Sequence, residues 1–194
     1  NLGVILKDLG NSQEAELSTR KAIELNPDFA DAYSNLGGIL KILGNFKEAE
    51  LSIRKAIKLK PDFAEAYSNL GGILRILGNL KEAELSTRKA IELEPDFAEA
   101  HLNHGIILID LGKFIEAESP IRKAIEIKGG LIEAHLKLGE ILFELGKTEE
   151  ASISEWQGIE LNPSFSSLKS YRENAKLINK TAFWVFNYTI FNHY

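Results

Sequence analysis

The chain has 194 residues, of which 44% are apolar and 26% charged, with a formal net charge of −5. That balance suits a globular protein and argues against broad non-specific nucleic-acid binding, which needs a basic surface. Cysteine is absent, so disulfides and thiol chemistry are excluded and a reducing, cytoplasmic setting fits; no apolar run reaches the ~18 residues of a membrane-spanning helix.

The chain opens at Asn1 in the middle of a repeating unit and contains no methionine. It therefore reads as a fragment, and a missing signal peptide says nothing about the parent protein. The incomplete first unit, Asn1–Phe29, is followed by Ala30–Phe63 and then by Ala64–Phe97, which differs from it at only six of 34 positions. Pro27, Pro61, Pro95 and Pro163 lie multiples of 34 apart, and so do Gly10, Gly44, Gly78, Gly112 and Gly146. Ala15, Ala49, Ala83, Ala117 and Ala151 follow the same rule. A fixed period of this length marks a stacked repeat whose units bury their apolar faces on one another. The full units run over 30–63, 64–97, 98–131 and 132–165.

Each unit reads as two helices. Asp62 with Glu65 has the form of a capping box for the first helix, as do Asp28 with Asp31 and Asp96 with Glu99. Pro61 ends the helix before it. Gly44 suits the left-handed residue that closes the first helix. Asn45 then caps the second, with Glu48 at its third position. So short a turn makes the two helices antiparallel neighbours. Wound at ~100° per residue, Ala32, Tyr33, Leu36, Gly37, Ile39, Leu40 and Leu43 share one apolar sector. Asp31, Ser34, Asn35, Gly38, Lys41 and Ile42 share the other. On the second helix, Phe46, Ala49, Ile53, Ala56, Ile57 and Leu59 form the buried side. Gly37 and Ala49 lack bulk where two backbones come close.

The third full unit departs from the pattern. Pro120 sits inside its second helix, where a backbone hydrogen bond is lost and a kink is expected. Lys128-Gly129-Gly130 replaces the Pro-Asp punctuation, which predicts a looser or re-angled junction. In the fourth unit Gly158 takes the small position and Trp156 adds bulk. Residues 166–180 read as a further helix that shields the last unit. Residues 181–194 gather Phe183, Trp184, Phe186, Tyr188, Phe191 and Tyr194, a density that favours a strand or an anchor. They start a following domain, or fold back on the array or onto a second copy, or are disordered.

The order Tyr33, Leu36, Gly37, Ala49, Ala56, Pro61 in a 34-residue frame resembles the tetratricopeptide repeat over roughly residues 1–165. The Asn-Leu-Gly triplet and the run Asp62–Gly71 are similar to the superhelical repeats of O-linked N-acetylglucosamine transferase and its bacterial relatives. The resemblance implies an all-α solenoid: a right-handed superhelix of antiparallel helix pairs. First helices would line its concave face and second helices its convex face.

The polar edge of the first helices is the candidate site. Asn1, Asn35, Asn69 and Asn103 recur at one slot, and the series stops at Lys137. An amide offers both donors and an acceptor, so a ladder of them suits an extended peptide backbone. In the transferase family the matching asparagines do this work. Ser34 and Ser68 flank the ladder. Lys7, Lys41 and Arg75 form the next row, which Ile109 and Phe143 continue, and Asp31, Glu65, Glu99 and Glu133 an acidic one. Leu102 and Ile106 make the groove more apolar further on, while Gly38 and Gly72 keep its early floor open. The lysines, arginine and asparagines of a chaperone-type carboxylate clamp do not assemble.

His101, His104 and His135 replace Tyr or Leu at core slots and lack a cysteine or close carboxylate, so packing outweighs a metal site. No P-loop, dinucleotide fingerprint or nucleophile–base pair is present. Hence no catalytic residue, metal or cofactor is assigned. The partner is a protein or peptide held in the groove, with neither nucleic acid nor membrane. Two alternatives stand: a substrate-targeting region of a larger enzyme such as a glycosyltransferase, and an array that self-associates through the aromatic tail.

Overall fold

The computed structural model describes residues 11–161. Asn1, Lys7 and the segments 166–180 and 181–194 lie outside them. Nine helices and no strand occur among the described residues: α1 (Ser12–Leu25), α2 (Ala30–Ile42), α3 (Phe46–Leu59), α4 (Ala64–Ile76), α5 (Leu80–Leu93), α6 (Ala98–Asp110), α7 (Phe114–Ile127), α8 (Ile132–Glu144) and α9 (Thr148–Glu160). The chain is an all-α solenoid of paired helices. By contacts it divides into two compact units, residues up to Ile127 and residues from Lys128.

Each first helix ends in the same way. Gly44 has φ +80°, and Gly78, Gly112 and Gly146 repeat it. The Gly44 N–H donates to the Lys41 carbonyl at 3.2 Å and the Asn45 N–H to the Leu40 carbonyl at 2.9 Å. That pair of bonds satisfies two of the carbonyls a helix end leaves open, and a β-carbon would strain the glycine.

The helix starts differ from the expected caps. Phe63, not Asp62, is the residue before α4, and neither it nor Asn45 makes a side-chain cap. Glu48 is engaged instead by Arg20 of the preceding unit at 2.5 Å. The Pro-Asp turn carries a backbone bond, the Phe63 N–H on the Lys60 carbonyl at 3.3 Å. Lys128-Gly129-Gly130 keeps that bond without proline or aspartate, since the Leu131 N–H donates to the Lys128 carbonyl at 3.2 Å. Likewise α7 runs through Pro120 without a break.

In residues 11–127 the core is built by close approach. A β-carbon on Gly37 would lie 2.5 Å from Ile53 Cδ1 and 3.2 Å from the Ala49 carbonyl oxygen. Gly71 meets Thr87 and Ala83, and Gly105 meets Ile121 and Ala117, in the same way. Ile53, Thr87 and Ile121 are fully buried, and around them Leu40, Ile73, Leu74 and Ile107 complete the interior. Ser52 and Ser86, which fall between the expected buried and solvated sides, are also covered. Each hydroxyl donates back to the carbonyl four residues earlier, so neither of these two is left unpaired by burial.

In residues 128–161, Glu155 occupies the slot of Ile53, Thr87 and Ile121, and its Cγ would lie 2.4 Å from a β-carbon on Gly139. Its Oε2 is buried with no hydrogen-bond partner, and burial pushes its carboxyl up to about 7. A raised acid favours the protonated form in the fold. Its stability contribution is therefore complete below the ordinary value of 4.5 and is lost as pH rises through about 7. Glu155→Ile is expected to raise the unfolding free energy at pH 8 by about 2 kcal/mol, after discounting for partial exposure. Urea unfolding at pH 5 and pH 8 checks this; a variant that keeps the wild-type pH dependence would contradict it.

Candidate functional site on the first helices

The first helices of successive pairs touch one another: α2 contacts α4, and α4 contacts α6. Second helices pack instead on the next first helix, as α3 does on α4 and α5 on α6. Within residues 11–127 the first helices therefore sit on the inner side. Their helical register sets what that side shows.

Asn35, Asn69 and Asn103 hold one register position, each half-buried. They are not equivalent. Asn103 Nδ2 donates to Ser68 Oγ at 3.0 Å, tying α6 to α4. Asn35 and Asn69 make no side-chain hydrogen bond with another described residue. Ser34 and Ser68 are only 2% exposed, so they do not line an open face as expected. The next first helix packs over this position, as the Asn103–Ser68 bond shows. The Ser34 hydroxyl is left buried without a partner. Leu102 and Ile106 are also buried, at 6% each, and belong to the core.

Asp31 and Glu65 are exposed, and Glu99 is half-buried. Lys41 reaches across so that its Nζ lies 3.4 Å from the place of a β-carbon on Gly72, covering that stretch of floor. Arg75 Nη1 donates to Asp110 Oδ2 at 3.1 Å. Asp110 stands at the slot of Ile42 and Ile76, both exposed. Sequence reasoning missed this pairing. Its signal is a spacing of 35 rather than 34, shared by Ser68–Asn103 and Arg75–Asp110.

His101, His104 and His135 each have a hydrogen-bond partner. His101 Nε2 lies 2.8 Å from the Pro95 carbonyl oxygen, and His135 Nε2 lies 3.0 Å from that of Gly129. His104 Nδ1 lies 3.0 Å from Thr87 Oγ1. Among the described residues no three His, Cys, Asp or Glu gather as a metal site would need. No helix among them is long and apolar enough to cross a membrane.

Family models described as tetratricopeptide repeat match residues 30–63, 64–97, and both 1–29 and 98–130. The chain belongs to the tetratricopeptide repeat family. Solved structures share its fold, among them two described as TPR proteins. TTC0263, a thermophilic TPR protein of Thermus thermophilus, is 23% identical, with a TM-score of 0.75 over 91% of this chain and 96% of that one. The pilF protein of Pseudomonas aeruginosa is 20% identical, with a TM-score of 0.77 over 100% and 90%. YrrB, described as a TPR protein with an unusual peptide-binding site, is 24% identical, with a TM-score of 0.63 over 89% and 88%. No curated protein sequence matches. The tetratricopeptide fold is typically a non-catalytic module that binds proteins or peptides, and the chain is a protein–protein interaction scaffold.

Proposed function

We propose that the scaffold holds an extended peptide along the inner side of α2 and α4, with Asn35 and Asn69 as its backbone contacts. The observation that carries this is the pair of amides at one register position, half-buried and without a hydrogen bond to any described residue. Each can accept from one peptide N–H and donate to one peptide carbonyl. Neither contact depends on the peptide's side chains. Exposed Ile42 and Ile76 add apolar contact, and Lys41, Asp31 and Glu65 set charge preferences. Because helix packing fixes the surface beforehand, little ordering is required of the scaffold on binding. Asn103 takes a supporting part, since its amide already holds Ser68.

An array of extended synthetic peptides identifies binders, and titration against Asn35→Ala/Asn69→Ala tests the contacts. Loss of two amide contacts at about 1 kcal/mol each lowers affinity by about 30-fold. Undiminished binding would reject the ladder. Asn103→Ala is a poor substitute, because it also leaves Ser68 without its donor.

A further inference from the structure

Units 30–63 and 64–97 are near-duplicates, and the nature of their six differences is informative. Asp31/Glu65, Lys41/Arg75 and Phe46/Leu80 are conservative, and Ile53/Thr87 exchanges two β-branched core residues. The remaining two reverse charge: Lys58 against Glu92, and Lys60 against Glu94.

The reversal at Lys58 interrupts a repeated ion pair. Lys21–Glu24 at 3.1 Å, Lys89–Glu92 at 2.9 Å and Lys123–Glu126 at 2.9 Å join residues three apart on α1, α5 and α7. On α3 the same slots hold Lys55 and Lys58, two like charges. A lysine near a helix C-terminus interacts favourably with the helix dipole, which explains why Lys58 is tolerated. It does not explain what lies beside it.

Lys58 borders a cleft of about 430 Å³ on the outer side, between α3 and α5. Ile57, Tyr67 and Leu70 line it, with Leu85 beside them 67% exposed. Its charged lining is Arg54, Lys58, Lys89 and Glu82; Arg54 is paired with Glu50 and Glu82, and Lys89 with Glu92, so among the described residues Lys58 meets no carboxylate. The cleft one repeat earlier, with the same register, is balanced: Arg20 and Lys55 against Glu24 and Glu48. The cleft one repeat later keeps Arg88 and Lys123 but has His101 and His104 at its floor, and Ser119 where Leu85 stands. Of these three clefts, the middle one combines an apolar floor with a lysine, Lys58, that no described carboxylate or aromatic ring engages, whereas Lys55 of the first lies over the Tyr33 ring and Arg88 and Lys123 of the third are paired with Glu84 and Glu126. It does so in a chain whose net charge is −5.

We propose that this middle cleft docks an acidic segment of a partner protein, with one apolar side chain seated against Tyr67, Leu70 and Leu85. A carboxylate of the segment meets Lys58 at the rim. The site lies on the opposite side of the helix layer from Asn35 and Asn69 and does not depend on them.

The test uses short labelled peptides, rich in glutamate and carrying one leucine or phenylalanine, titrated into the full chain by fluorescence anisotropy. Matched peptides with glutamine for glutamate are the comparison. The acidic peptides are expected to bind about tenfold tighter, with the advantage shrinking as salt is added. Lys58→Glu/Lys60→Glu writes the residues of the next unit into the end of α3 and the position after it, so the fold is kept, and it is expected to reduce affinity by about tenfold. Leu85→Ser copies the third cleft and should weaken binding by removing the apolar contact. Asn35→Ala/Asn69→Ala should leave it unchanged. Equal binding of the glutamine peptides, or undiminished binding to the lysine double variant, overturns the proposal. So does a loss confined to the asparagine variant. Self-association abolished by the lysine double variant, without peptide binding, would instead assign the cleft to a second copy.

Discussion

Gly71→Ala and Gly72→Ala, one residue apart, are expected to change stability in opposite directions. A β-carbon at Gly71 would lie 2.4 Å from Thr87 Cγ2 and 3.2 Å from the Ala83 carbonyl oxygen. Thr87 is fully buried and its hydroxyl is held to backbone of the same helix, so it cannot swing away. Helices α4 and α5 must therefore separate, at a cost of about 2–3 kcal/mol. A β-carbon at Gly72 meets only Lys41 Nζ, at 3.4 Å, the far end of a flexible side chain. There the ordinary advantage of alanine in a helix applies, and the variant gains about 0.5–1 kcal/mol. Urea unfolding followed by circular dichroism measures both. Equal effects would mean that α4 and α5 are not in the close contact described.

The second large effect is acid destabilisation through His104. It stands where Leu36 and Leu70 stand in the preceding units, and it is 9% exposed. Burial, with Arg88 nearby as the next cause, lowers its pKa from 6.5 to about 4. Glu84 opposes the shift, while His101 and Lys113 add to it. The fold thus holds a neutral imidazole, hydrogen-bonded to Thr87. A depressed pKa means that the contribution is complete above 6.5 and lost as pH falls through about 4. The gap corresponds to about 3 kcal/mol. Glu84, held below the usual carboxylate range chiefly by its bond to Lys113, loses its own contribution in acid as well. The difference between the wild type and His104→Leu isolates the histidine. The variant is expected to be more stable at pH 4.5, with a flatter profile between pH 4.5 and 7. Parallel profiles would show that His104 is not buried neutral. Glu155, in the other compact unit, runs the opposite way.

The architecture was readable because its determinants are local and repeated. Gly44 and its counterparts demand a left-handed residue every 34 positions, and Gly37 with Ala49 demands close helices. Those features need no knowledge of neighbouring units. The candidate site was readable only in part, because exposure at one position depends on what the next unit places over it. Ser34 and Ser68 sit on the polar edge of an isolated helix and are covered only when first helices stack. Asn103 has the same residue type and register as Asn35 and Asn69, yet its amide is taken by Ser68. The carboxylates expected at helix caps were misjudged for a similar reason. Glu48 is drawn to Arg20 in another unit, a contact 28 residues away that local capping rules do not weigh.

The central claim is that stacked first helices present free amides to a peptide. Side-chain amide resonances of Asn35 and Asn69, followed by NMR as a binding peptide is added, test it most directly. Both pairs of signals are expected to move and saturate with the same dissociation constant as the backbone signals of α2 and α4, while the Asn103 amide moves less. Saturable binding that leaves the Asn35 and Asn69 amides unmoved would contradict the account.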